Sequence, residues 1–381
     1  MEVSNTAVLP SQRHLFELPN DIAYFDGAAY SPLPRTVRAA GELGILSKSQ
    51  PWVYAREENK AWATRARAGA AKLIGAQATD IALVGSVAAA MATAAANLPL
   101  PPGTRVLRIE NEFPSVCLIW DRMAAQNGAQ IDVVSRPEDG DWTAAILEAI
   151  ERPGAPRLSV ATLTPSQWAD GSRIELDRIA PAVHRAGAAL VIDATQAVGV
   201  AELDVAHLQP DFLAFPTYKW LLGPYSMAFL YAAKTRQRGI PMEEHADNRA
   251  SAPGAAGYDR GEPNDPVGLR MAATGIELLL HWERSSVAAA LRQHIDRIAA
   301  AVESLAWPVL PPEQRTPNVI GLRPPRGTPA HFVAELRKRG VVVSDRLGVL
   351  RISPHVWVNH ADVDRLIAGL AEIDSALRLA S

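Results

Sequence analysis

The sequence predicts an α/β protein in which a large domain, built on a mixed, mostly parallel sheet of about seven strands, precedes a small C-terminal α+β domain. Three features carry this expectation. Short β-type runs alternate with helical stretches from about residue 80, the last two of those runs lie too close together for a helix between them, and beyond residue 305 the rhythm changes to that of a small α+β unit. Strands that alternate with helices imply a mostly parallel sheet covered on both faces.

Residues 81–85, 105–110, 130–136, 157–164, 189–195, 211–216 and 226–233 read as strands, being apolar runs bounded by turn residues. Residues 88–97, 142–151 and 176–186 read as helices between them, the last with apolar residues at helical spacing. Little more than residues 219–224 separates the final two strands, so these form a hairpin and make the sheet mixed. A loop rich in Gly, Ala and Pro covers 246–268, and one long helix is expected over 269–305. Strands at 319–322, 341–344 and 349–353, with helices at 329–339 and 362–377, make the small domain. The expected boundaries are an N-terminal arm over 1–20, a large domain over 21–258 and a small domain over 259–381.

The 381 residues carry 48% hydrophobic and 21% charged side chains and a formal net charge of −3. No block of one sign points to nucleic acid or a membrane surface. The single cysteine, Cys117, excludes a disulfide framework and a multi-cysteine metal site. Pro10, Pro19 and scattered charges interrupt the first thirty residues, and no apolar run approaches the roughly 20 residues that span a bilayer. The expectation is a soluble, cytoplasmic protein with no metal.

Ligands of open α/β sheets bind beyond the carboxyl ends of the strands, and four places there carry polar side chains. Asp193 ends an apolar run, where a poorly hydrated carboxylate wants a cation; it reads equally well as a helix cap. A nucleotide motor would need a glycine-rich lysine loop, which the sequence lacks. Lys219 follows Asp193 by 26 residues and, unlike the other five lysines, precedes an apolar run, Trp220-Leu221-Leu222. An amine at the edge of an apolar site loses basicity and becomes a nucleophile toward aldehydes, although a lysine in an exposed turn would read the same way. Gly85-Ser86 opens a helix whose free N–H groups suit a phosphate, or Ser86 simply caps it. Phe113, in Glu112-Phe113-Pro114-Ser115, is either core or a ring that faces a planar ligand.

In this chain order, a phosphate cradle, an aromatic plate, a carboxylate and a lysine resemble the fold-type I pyridoxal-phosphate enzymes. More narrowly they resemble the class V aminotransferase family, which includes cysteine desulfurases, selenocysteine lyases, kynureninase and isopenicillin N epimerase. Segment 191–199 is similar to the family's D-x-x-Q stretch and 217–224 to its lysine stretch, while 24–29 and 350–355 are similar to its N-terminal opening and arginine strand. The resemblance runs from about Ala23 to the C-terminus.

The resemblance implies that pyridoxal 5'-phosphate is the cofactor and that Lys219 holds it covalently and moves the substrate α-proton. Asp193 would pair with the pyridine nitrogen, Gln196 and Gln167 would lie near the ring 3-oxygen, and Phe113 would stack on the ring. Ser86, the Val87 backbone N–H, Thr217 and Tyr218 would hold the phosphate, and Arg351 would clamp the substrate carboxylate. Phe113 and Tyr218 are similar to kynureninase at positions where other members have histidine. A homodimer acting on an α-amino acid, a small-molecule substrate, is implied. The family's Gly-Thr pair, which reaches the partner subunit's phosphate, is Gly261-Glu262 here, and an acidic side chain cannot help hold a phosphate.

A desulfurase would carry its nucleophilic cysteine in the small domain, and residues 259–381 contain none. The expected reaction is therefore that of a lyase, by side-chain elimination or C–S cleavage without a protein cysteine. Transamination, kynureninase-like hydrolysis, epimerisation and a non-catalytic homologue that keeps the fold are the alternatives. Loops around Trp52 and Trp168 are candidates for side-chain recognition.

Overall fold

The structure, a computed structural model, describes residues 8–53, 56–246, 248 and 252–380. A short strand, β1 (Ala23–Tyr24), and two helices, α1 (Arg35–Ser49) and α2 (Arg56–Ile74), precede the main sheet. In chain order that sheet contains β2 (Ile81–Val84), β3 (Arg105–Ile109), β4 (Gln130–Val134), β5 (Leu158–Leu163), β6 (Ala189–Asp193), β7 (Phe212–Pro216) and β8 (Ala228–Ala232). Helices α3 (Val87–Asn97), α4 (Pro114–Asn127), α5 (Trp142–Glu151), α6 (Leu176–Arg185) and α7 (Val205–Leu208) fall between successive strands up to β7.

Across the sheet the order is β2-β8-β7-β6-β5-β3-β4. Only β8 runs against its neighbours, antiparallel to β2 and to β7, so the expected hairpin and the mixed sheet are both present. Every residue of β5, β6 and β7 is buried, as a sheet covered on both faces requires. Successive side chains feed two separate cores: Leu190, Ile192, Leu213 and Phe215 join one, and Val191, Phe212 and Ala214 the other.

The helix expected over 269–305 is two helices, α8 (Gly268–Trp282) and α9 (Arg284–Ser304), broken at Glu283, whose φ is +61°. Neither Gly nor Pro marks the break, so helical periodicity alone could not reveal it. The helices diverge because they serve different surfaces: α8 packs on α1 and α2, and α9 packs on α11 (His360–Ala380). Before α11 come β9 (Ile320–Leu322), α10 (Pro329–Lys338), β10 (Val341–Val342), β11 (Ser344–Arg346) and β12 (Val349–Ile352). The strand expected at 341–344 is divided at Val343, because β10 pairs with β1 whereas β11 pairs with β12. Residues 23–24 thereby add a strand to the C-terminal unit. Among the described residues, no helix is long and apolar enough to cross a membrane.

Gly275 of α8 shows how closely this helix approaches the turn after β7. A Cβ placed there would lie 2.4 Å from the Leu221 carbonyl oxygen, a backbone atom that cannot swing away. Gly275→Ala should therefore lower stability by about 1–3 kcal/mol, the usual effect of overpacking, as read from chemical denaturation. A stability equal to the parent would mean that α8 can shift without strain.

Candidate active site

The β7–β8 hairpin carries Lys219, and its turn is closed by backbone hydrogen bonds from Thr217 N to Met227 O at 3.0 Å and from Gly223 N to Thr217 O at 2.9 Å. Leu222 and Ser226 take left-handed φ values of +56° and +58° there, a conformation non-glycine residues hold only where their surroundings enforce it. On the neighbouring strand Asp193 ends β6, and its Oδ1 accepts from Thr195 N at 2.9 Å and Thr195 Oγ1 at 2.5 Å. The two turns are tied together, since Trp220 Nε1 donates to Gln196 Oε1 at 2.8 Å.

Lys219, Asp193, Gln196, Phe113 and Tyr218 line one cavity of about 260 Å³. Ser86 and Val87, at the N-terminus of α3, line it as well, and Ser86 Oγ caps that helix by accepting from Ala89 N at 3.1 Å. The Lys219 amine stands 5.7 Å from the Phe113 ring centre and 5.5 Å from that of Tyr218. Phe113 is the N-cap residue of α4, and its ring meets Trp168 edge-on with centres 5.4 Å apart.

Burial sets the electrostatics of this cavity. It pulls the Lys219 amine down to about 8, against the opposing pull of Asp193. Burial likewise raises the Asp193 carboxyl above the ordinary carboxylate range, opposed by the two Thr195 hydrogen bonds and by Lys219. At pH 7 an amine at about 8 is neutral roughly 300 times more often than one at 10.5. The cavity thus holds an amine able to add to an aldehyde and a carboxyl group suited to a cation.

Three residues expected at the site stand off the cavity wall. Thr217 is fully buried, and its hydroxyl donates to the carbonyls of Pro224 at 2.5 Å and Met227 at 3.1 Å, so it steadies the turn. Gln167 Oε1 accepts from the N–H groups of Ala169 and Asp170, and its Nε2 donates to Asn111 O at 3.3 Å. Arg351, 2% exposed, pairs with Asp26 Oδ1 at 3.1 Å and donates to Trp168 O at 3.1 Å. Gln196 is on the wall, with its amide already engaged by Trp220 and by Ala28 O at 3.2 Å.

Sequence reasoning passed over Tyr225 and Glu112, both of which line the cavity. Tyr225 stacks on Tyr218 at 4.1 Å and follows the lysine turn directly, so its position was the available signal. Trp168 is on the wall, whereas Trp52 is 82% exposed and is not. Gly261 N donates to Glu243 Oε2 at 2.8 Å, and Glu262 takes φ +54°.

These residues fit pyridoxal phosphate, which needs an amine for its aldehyde, an acid for its ring nitrogen, an aromatic face and a helix N-terminus for its phosphate. The comparisons agree. The family model described as Aminotransferase class-V matches residues 23–366. The uncharacterized aminotransferase YcbU of Bacillus subtilis is 27% identical, with 86% of this chain and 87% of that protein covered. Kynureninase of Deinococcus radiodurans is 27% identical, with 96% and 93% covered. The apo cysteine desulfurase structure from Thermococcus onnurineus NA1 superposes with a TM-score of 0.83 over 97% of this chain and all of that one, at 20% identity, which shows a common fold.

With cofactor loaded, borohydride should fix it to the peptide that contains Lys219, and Lys219→Ala should abolish the adduct, as read by mass spectrometry. When the cofactor is instead added to the cofactor-free chain, formation of the adduct should rise with pH around a midpoint near 8, where the free amine loses its proton. An undiminished adduct in the alanine variant would move the attachment to another lysine.

Proposed function

Because the chain belongs to the class-V aminotransferase family of pyridoxal-phosphate enzymes, we propose that it acts on an α-amino acid as a lyase, cleaving the side chain without help from a protein thiol. The carrying observation is the state of the only thiol. Cys117 is buried in α4 and does not line the cavity; burial, above all, raises its pKa to about 11. A thiol that stays protonated is a poor nucleophile and a poor acceptor of sulfur.

When bound, pyridoxal phosphate supplies an aldehyde for the substrate amine and a ring that draws electrons from the α-carbon. The chain's own groups divide the remaining work. Lys219 takes and returns the α-proton at Nζ, Asp193 holds a proton at the ring nitrogen, and Phe113 covers the ring and keeps water from it. The N-terminus of α3 takes the phosphate, with Ser86 and the Val87 N–H as donors and Tyr218 beside them. Gln196 stands near the ring oxygen. Gln167 and Thr217 act through the turns that they hold. Arg351 receives the substrate carboxylate by exchanging the Trp168 carbonyl for it. In this reading the chain works in the cytoplasm as a homodimer. Amino-group transfer is a second reading, favoured by the name of the Bacillus relative.

The deciding experiment mixes holoenzyme with a panel of amino acids and analyses the products. A lyase that eliminates the side chain releases ammonia, an oxo acid and the leaving group from one substrate, whereas transfer needs a second oxo acid to regain the cofactor. Cys117→Ser should turn over at the parent rate, and cysteine should leave no persulfide on the protein. Turnover that depends on added oxo acid would replace the lyase reading with transfer, and a persulfide on Cys117 would restore a desulfurase.

A further inference from the structure

We propose that Glu112 is a positioning residue of the cofactor pocket that works as an uncharged carboxylic acid, fixing the aromatic plate through Oε1 and leaving the ring nitrogen to Asp193. The proposal rests on reading the cavity as the pyridoxal-phosphate site. Glu112 lies between β3 and Phe113, is 6% exposed and lines the same cavity as Lys219 and Asp193. Its Oε1 accepts the Phe113 backbone N–H at 2.7 Å, and so holds the residue whose ring faces the lysine amine. Its Oε2 is buried and has no hydrogen-bond partner among the described residues.

Among the described residues, no cation pairs with this carboxyl group. Arg108, on β3, is directed to Asp121 at 3.4 Å, and Asp193 faces Glu112 from the end of β6 as a second acid. Cys117 on α4 is also within electrostatic range, and its thiol is uncharged at neutral pH. A carboxylate here would lose its hydration and gain no partner, and such groups take up a proton instead. Burial first, and Asp193 second, push the Glu112 carboxyl up to about 8, against weaker pulls from the Phe113 N–H and Arg108. At neutral pH the proton therefore sits on Oε2, and Oε1 serves as a carbonyl-like acceptor for Phe113. Were both acids ionised, two negative charges would face one pyridine nitrogen.

Linkage gives a test that needs no activity. The folded carboxyl titrates near 8 and the unfolded one near 4.5, so between those values the folded chain keeps a proton that the unfolded chain releases. Stability falls as pH rises through that window. Glu112→Gln keeps the acceptor and cannot ionise. Without cofactor, its melting temperature should exceed that of the parent by a few degrees at pH 8, with no gain at pH 4.5. At pH 7 it should bind pyridoxal phosphate within threefold of the parent, while Glu112→Ala, which leaves the Phe113 N–H without its acceptor, should bind at least tenfold more weakly. If the alanine variant fails to fold, the glutamine variant alone decides. A tenfold loss of cofactor affinity in Glu112→Gln, or a melting difference that ignores pH, would overturn the proposal and make Glu112 a working anion. If the parent chain bound no pyridoxal phosphate, the reading of the pocket would fail, while the melting comparison would still decide the charge of Glu112.

Discussion

Asp193 and Lys219 stand at the carboxyl ends of adjacent strands, an acid and an amine that burial deprives of water together. Each favours the charged form of the other, yet burial outweighs that attraction for both. Burial thereby frees the amine of its proton more readily, and a cation beside Asp193 would restore the carboxylate that burial disfavours. This balance holds only while the two turns stay fixed, and several contacts serve that end. The Gln196–Trp220 hydrogen bond joins the turns, the Thr217 hydroxyl braces the hairpin, and Gly275 lets α8 lie against the Leu221 carbonyl.

The N-terminal segment extends the same constraint to the C-terminal unit. β1 pairs with β10, Asp26 bridges Ser353 and pairs with Arg351, and Ala28 N donates to Ser353 Oγ at 3.0 Å. From this one stretch, the Ala28 carbonyl accepts from Gln196 and Ser31 N donates to Tyr218 O at 3.4 Å. A handful of residues thus connects the strand that carries Arg351 to both turns that line the cavity. Movement of the C-terminal unit would be felt at Gln196 and Tyr218 through these bonds.

Much of this was legible in the sequence because the main sheet obeys a simple rule. Residues that follow an apolar strand were singled out by position, and Asp193, Lys219, Ser86 and Phe113, chosen that way, line one cavity. Side-chain direction within a tight turn was not legible. Thr217 precedes Lys219 by two residues, but its hydroxyl follows the carbonyls of its own hairpin, and Gln167 turns into its own loop. Arg351 was placed by resemblance, and the acid that pairs with it, Asp26, lies 325 residues away along the chain, beyond any local pattern. The break at Glu283 escaped for a related reason, since it reflects the two surfaces on which α8 and α9 pack and no residue type announces it. Helices α1 and α2, which precede the strand–helix rhythm, were likewise not marked.

The central claim is that Asp193 faces the ring nitrogen and holds a proton there. Nitrogen NMR of pyridoxal phosphate labelled at the ring nitrogen, bound to the parent and to Asp193→Asn, tests it directly. The account predicts a protonated nitrogen in the parent at pH 7 and an unprotonated one in the asparagine variant, whose amide cannot keep the proton in place. The same protonated signal in both proteins would contradict it, and would leave Asp193 as a residue that merely shapes the turn through Thr195.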